Sequence, residues 1–466
     1  MFRTAVPPII AAVGDADGAT GSGPGAESPA VTVESVTVEG SRIESTVSYS
    51  DELRPFFDDS PFYVEYDVDV SDLPKSILAI PVLAHVCPVA WAVGADVRVP
   101  TVDRRFLSCL ETVGAALYGM YPFVRGGRVV AESAPETERS TVDGETGMLF
   151  TGGVDSLATY ARHREADPTL INVRGWLVGV DDDRSWAHTT RRIEEYGERF
   201  GAETQFVRSN MLEFLDTRQL DAEFKPHHDG AWYSAVGSGL GLAGLVAPLA
   251  VAEGMERLFI AASHWEGFPT PDRFEYWDGG AIPWGSDPAI DDEIAWTGTT
   301  VVHDGFSLTR QDRIEVVADF FDERDDDVPV RACEASAEAS NCNRCEKCAR
   351  TAFGLAMAGV DPNDHGFDVD AATFQRARRE IEAGNWLVDH HHGVYWTEFA
   401  RRVDPDRDYP VDGARGFANW LAETDIEAIA DRSEPPAADR ALRSVARATP
   451  YPVYKRLYSV YDSVKS

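Results

Sequence analysis

At 466 residues, with 44% hydrophobic and 10% aromatic content, the chain can bury more than one core, and a disordered or fibrous protein is excluded. Its 43 basic and 78 acidic residues leave a formal charge of −35, a field that opposes nonspecific nucleic-acid binding. Only five lysines occur, Lys75, Lys225, Lys347, Lys455 and Lys465, and acidic excess with lysine loss along a whole chain keeps a protein hydrated in concentrated salt, as in a halophilic archaeon.

In chain order, residues 2–13 hold a short apolar stretch broken by Pro7 and Pro8, too interrupted for a secretory signal. Residues 1–30 read as a flexible leader, rich in Gly, Ala and Ser from residue 14 onward. Alternation through Val31, Val33, Val36 and Val38, then Phe62, Val64, Tyr66 and Val68, predicts strands. Residues 76–93 are apolar with two prolines, and Phe106, Leu110, Val113 and Leu117 predict a helix over 105–118. Residues 31–145 thus form an expected N-terminal α+β domain.

From 146 to 360 short apolar runs alternate with longer amphipathic segments, the rhythm of a parallel sheet with crossover helices. Strands are expected at 147–150, 170–180, 204–207, 257–262 and 300–302, with helices over 154–166, 185–200, 231–253 and 309–321. The remainder, 361–466, is expected to be mainly helical, broken near Pro405, Pro410, Pro435 and Pro436. The longest apolar run, 236–252, is glycine-rich and contains Pro248, so it reads as a core helix and no membrane span is expected.

Two motifs carry chemistry. In MLFTGGVDSLATYARH an apolar strand runs into Thr151, Gly152, Gly153, Val154, Asp155 and Ser156, and an amphipathic helix follows. Two glycines permit a tight turn whose backbone N–H groups face an anion, and the helix start adds donors and dipole. Thr151 and Ser156 offer hydroxyls, and Asp155 is a candidate ligand for Mg2+. No G-K-[ST] follows, and the third glycine of the dinucleotide fingerprint is missing. The second motif is C-x8-C-x2-C-x2-C at Cys333, Cys342, Cys345 and Cys348, a metal grouping rather than a disulfide framework. Four thiolates suit a structural Zn2+, with an iron–sulfur cluster as the rival. A reducing, cytoplasmic location is expected.

The first motif resembles the SGGxDS signature of the PP-loop ATP pyrophosphatase superfamily, with Thr151 in place of serine. With the cysteine spacing after it, residues 146–360 look like 7-cyano-7-deazaguanine synthases, in which a carboxylate is adenylated by ATP and converted to a nitrile with ammonia. The resemblance implies an adenine nucleotide alpha hydrolase-like sheet, ATP on the 151–156 loop, and zinc on the four cysteines. It also implies that Ser263, His264 and Val180 line the nucleotide site and that Arg310 faces the phosphates, so that Asp155, Ser156 and Arg310 are the expected catalytic residues. The sequence departs from the family at 179–183, Gly-Val-Asp-Asp-Asp, and has only Phe268-Pro269-Thr270-Pro271-Asp272 where the family reads its substrate.

The expected protein is therefore an α/β AMP-forming ligase acting on a small-molecule carboxylate or carbonyl, with ammonia, an amine or sulfur as nucleophile. A tRNA-modifying PP-loop enzyme and a non-catalytic nucleotide-binding protein are the alternatives, and the sequence leaves the acceptor and oligomeric state open. His227, His228 and Asp229 read as a helix-capping loop, and His390, His391 and His392 as an aromatic-rich packing or surface feature among Trp386, Tyr395 and Trp396.

Overall fold

The computed structural model describes residues 9–14, 28–136, 144–274, 277, 279–324, 326–333 and 341–433. Parts of the expected leader and the end of the expected helical tail lie outside them. Among the described residues twelve strands form one sheet: β1 (Ile9–Val13), β2 (Ala30–Glu39), β3 (Arg42–Tyr49), β4 (Phe62–Tyr66), β5 (Asp96–Thr101), β6 (Gly127–Ser133), β7 (Glu145–Leu149), β8 (Thr169–Arg174), β9 (Thr204–Ser209), β10 (Met255–Ala261), β11 (Ala295–Trp296) and β12 (Thr299–Asp304). Their order is β1-β6-β5-β2-β3-β4-β9-β8-β7-β10-β12-β11.

Two parallel stretches make up this α/β sheet. β1, β6, β5 and β2 run one way, and β9, β8, β7, β10 and β12 run together in the other half. The β2–β3 hairpin turns through two residues, with Gly40 at φ +56°, and β4 returns to pair antiparallel with β9. Counting reversals across β3, β4 and β9 shows that the two parallel halves point in opposite directions. The carboxyl ends of the second half therefore open at the end of the sheet where the first half has its amino ends.

In the second half the strands stand, by chain position, in the order third, second, first, fourth, fifth. The chain reverses its winding between β7 and β10, and loops leaving the carboxyl ends of those two strands diverge to leave a crevice. The expected strand over 170–180 stops at Arg174. Gly175, at φ +108°, turns the chain where an added Cβ would lie 1.9 Å from the Ser209 carbonyl oxygen, so only glycine fits.

Period-two alternation splits the sheet's side chains between two cores. Along β10, Leu258 and Ile260 enter the core under the helices Ile80–Val93 and Ser238–Ala252, while Phe259 enters the opposite one. Burying one such phenylalanine contributes roughly 1.5–3 kcal/mol. The second core is roofed by Val154–His163, Arg310–Arg324 and Glu346–Ala358, and the helices of the 371–430 region, the described part of the expected tail, pack onto the last two of these. Among the described residues one helical stretch, Tyr233–Ala252, is long and apolar enough to cross a membrane, but 89% of it is buried within the protein as a core helix.

Asp103 links the two halves. Its carboxylate caps the helix Arg104–Met120 by accepting from the Arg105 and Phe106 N–H groups, and it also accepts from Thr297.

Candidate active site

β7 ends at Leu149, and Phe150 to Gly153 turn the chain into the helix Val154–His163. The turn is held from within. The Ser156 hydroxyl donates to the Gly153 carbonyl at 3.1 Å and accepts from the Thr151 N–H at 3.3 Å, and the Thr151 hydroxyl accepts from the Gly153 N–H at 3.4 Å. Gly153 is the N-cap and no side chain caps the helix, which leaves its first N–H groups for a ligand.

Gly152 takes φ +73°, and a Cβ there would sit 2.5 Å from the ring of Tyr196, a buried residue. Tyr196 also donates to the Gly152 carbonyl. Gly152→Ala is expected to cost about 1–3 kcal/mol in denaturant unfolding. Gly179→Ala, where a Cβ meets nothing within 4 Å, should be nearly silent in the same assay.

Two cavities adjoin at this turn. The first, about 360 Å3, is lined by Thr151, Gly153, Val154 and Asp155 on one side, and by residues of the cysteine segment and the helix His390–Arg402 on the other. Its wall carries four cations, Arg310, Arg331, Lys347 and Arg350, against two carboxylates, Asp155 and Asp389. In a chain of net charge −35 with five lysines, that local excess of positive charge is the reverse of the surrounding field. Arg192, outside the cavity lining, is brought down to about 10 chiefly by burial, with the charge of Arg331 second. The second cavity, about 250 Å3, shares Thr151, Asp155, Ser263, Trp284 and Arg331 with the first and adds Trp176, Asn172 and Ser156.

Asp155 is held by two guanidinium groups in this geometry. Arg310 Nη1 donates to both its oxygens at 2.8 and 2.9 Å, and Arg313 Nη1 donates at 3.0 Å. Arg313, three residues along the same helix face, also donates to the carbonyls of His264 and Gly305, which ties the ends of β10 and β12 to the turn after β7. Burial opposes ionisation of Asp155, but the two guanidinium groups outweigh it and hold the carboxyl below its ordinary value. Because the folded-state value is depressed, the stability this group contributes is present above the unfolded value of about 3.9 and is lost as pH falls through the lower folded value. Asp155→Asn should therefore flatten the acid limb of the stability profile below about pH 4, measured by thermal unfolding across pH.

Of the other expected residues, Ser263 and His264 line the first cavity. Gly152 stands behind the turn against Tyr196. Val180 stays off both walls; its carbonyl instead accepts from Arg174 at 2.6 Å and Arg208 at 3.3 Å, and Leu177 lines the cavities in its place. Asp182 caps the helix Asp183–Phe200, and Asp183 pairs with Arg174 at 2.6 Å.

The histidine run, expected to be a packing or surface feature, reaches the cavity. His391 and His392 line it with Asp389. His391 Nδ1 lies 3.5 Å from Asp229 and 3.3 Å from Asp389, and its ring is 4.9 Å from that of His264. Burial, then the nearby His391 and Arg313, keep His264 well below its usual value and hence neutral. Asp229 faces His391 across the cavity rim, and the N–H of Trp232 at the start of the following helix donates to Asp221 rather than to a residue of the 227–229 loop.

The four cysteines converge, and all four Sγ atoms lie within 4.8 Å of one another. Cys342 and Cys348 are 3.8 Å apart, the edge of a tetrahedron about 3.8 Å across when each sulfur sits about 2.3 Å from one ion. The N–H groups of Cys342 and Cys345 point at the sulfurs of Cys333 and Cys342 at 3.3 and 3.4 Å, as donors that stabilise thiolate charge. These residues can hold a metal ion such as zinc. Cys87 and Cys109 lie apart in the other core, and burial raises Cys109 to about 12, so both behave as inert hydrophobes.

What the fold and site define is an α/β protein with a cationic cavity at the carboxyl ends of the second half of its sheet and, beside it, a knot of four cysteines that can hold a metal ion. No family model, curated protein or solved structure matches the chain.

Proposed function

We propose that this chain is an ATP-dependent adenylating enzyme of the PP-loop kind, similar to 7-cyano-7-deazaguanine synthases. The observation that carries the reading is the cationic wall of Arg310, Arg331, Lys347 and Arg350 facing the uncapped start of Val154–His163, at the crevice where parallel sheets of this winding take nucleotides.

The phosphates of ATP would lie against the 151–156 turn and that wall, with the nucleoside in the adjoining cavity between Trp176, Trp284 and Asn172. Mg2+ would arrive on the phosphates and be held mainly by them, since Arg310 and Arg313 already take up the Asp155 carboxylate. A carboxylate oxygen of the acceptor attacks the α-phosphorus, a new P–O bond forms, and the bond to the β-phosphate breaks to release pyrophosphate. Ammonia, an amine or a sulfur nucleophile then attacks the acyl carbon, and AMP leaves. The protein's part is positioning and charge compensation. A single zinc ion suits the thiol knot better than an iron–sulfur cluster, because a cluster divides its four cysteines among two or four irons and so spreads the sulfurs farther apart than one ion does.

The test is exchange of labelled pyrophosphate into ATP in molar salt, in the presence of a protein-free small-molecule extract as acceptor source. Label should enter ATP with the wild-type chain and fall by on the order of 10²-fold with Arg331→Gln, since a hydrogen bond to a charged group contributes about 1.5–3 kcal/mol. Release of ADP and phosphate instead of AMP and pyrophosphate would overturn the reading.

A further inference from the structure

The metal knot and the turn after β7 are joined by backbone. The Arg331 N–H donates to the Gly152 carbonyl at 2.9 Å, and Gly153 and Arg331 pair as an isolated parallel bridge. Two residues on, Cys333 enters both the thiol cluster and the cavity wall. Asn341 clasps the same strip, accepting from the Ala332 N–H at 2.7 Å and donating to the Val330 carbonyl at 2.8 Å. On the far side of the knot, Cys345 is the N-cap of the helix Glu346–Ala358, whose first turns carry Lys347 and Arg350. Arg350 is fixed in turn by Glu346 at 2.7 Å and by the face of Tyr395, 4.1 Å away. Apart from Arg310, then, every cation of the wall is attached within five residues of a metal-site cysteine.

We propose that the metal ion and the bound anion are thermodynamically coupled: metal on Cys333, Cys342, Cys345 and Cys348 sets Arg331, Lys347 and Arg350 around a pyrophosphate group, and pyrophosphate tightens the hold on the metal. The inference rests on the reading that the first cavity takes the phosphates of ATP. It gives the knot a positioning role beyond holding the fold. Without the ion the four thiolates repel one another or take up protons, and three cations lose their anchor on the cavity. Linkage requires that the effect run equally in both directions.

Two measurements on the full-length, zinc-loaded chain in molar salt test this. The first is calorimetric titration with inorganic pyrophosphate before and after removal of the ion. The second is transfer of zinc to a colorimetric chelator with and without pyrophosphate. Loaded protein should bind pyrophosphate more tightly than stripped protein by on the order of 5- to 150-fold, and pyrophosphate should raise zinc affinity by the same factor. Free pyrophosphate itself competes for zinc and would speed its loss, so slower transfer reports the site. Equal pyrophosphate affinity in loaded and stripped protein, with native circular dichroism in both, overturns the coupling and leaves the ATP reading standing. No binding to loaded protein overturns both. Should the stripped chain unfold, Lys347→Met decides: pyrophosphate should lose most of its protection of the metal in this variant, and undiminished protection contradicts the proposal.

Discussion

Asp155→Ala is expected to destabilise the chain by about 3–5 kcal/mol, the range for removing one partner of a buried ion pair. Arg310 and Arg313 are 11% and 2% exposed at the side chain, and without the carboxylate they face each other as like charges in a confined site. Asp155 itself is 28% exposed, which places the effect toward the lower end of that range. Denaturant unfolding measures it. The cause is separable by a second substitution: adding Arg313→Met removes one uncompensated charge and should recover part of the loss, whereas a simple packing defect at residue 155 would leave the two changes additive. Pyrophosphate exchange should fall in the single variant as well, because the turn then loses its tie through Arg313 to the ends of β10 and β12.

The second large effect lies at the knot. Cys348 is fully buried and sits in the core beneath the C-terminal helices, with Phe353, Trp396 and Phe417 in the same cluster. Cys348→Ala should release the metal and lower stability by several kcal/mol, because the free energy of metal binding is folding free energy for the segment that closes around it. Cys109→Ala, in the opposite core and away from any metal ligand, should cost about 1 kcal/mol. Metal content per chain and thermal unfolding, read on both variants, give the comparison. In unfolded wild type all six cysteines should react with maleimide; in the loaded native protein the four knot thiols should be protected.

Much of the second half of the sheet was legible from local pattern. The strands expected at 147–150, 204–207, 257–262 and 300–302 became β7, β9, β10 and β12; the continuous apolar run of a buried parallel strand is clearest in Leu258 to Ala261 of β10, whereas β9, Thr-Gln-Phe-Val-Arg-Ser, is largely polar. The joining of the two halves was not legible, since it depends on β4 pairing with β9, a contact between segments more than 130 residues apart for which neither strand carries a local signal. The same limit governs the site. The 151–156 turn and the four cysteines are compact motifs, and their residues lie where spacing and chemistry suggested. Arg313, Asp389 and His391 reach the turn only through the fold. Arg313 alone left a trace, three residues from Arg310 and so on the same helix face; His391 lies over 230 residues from Asp155 and reads in isolation as a packing or surface feature. For Asp155 the sequence shows a carboxylate but not the two guanidinium groups, Arg310 and Arg313, that close on it.

The central claim, that the cavity beside the 151–156 turn is an ATP site, is tested most directly by equilibrium binding of ATP·Mg2+ to the metal-loaded chain and to an Arg331→Gln, Lys347→Gln double variant, in molar salt. One ATP per chain should bind to the wild type, and the double variant should bind at least about 10²-fold more weakly, since each charged contact is worth about 1.5–3 kcal/mol. Absence of ATP binding, or equal binding by the two proteins, would contradict the account.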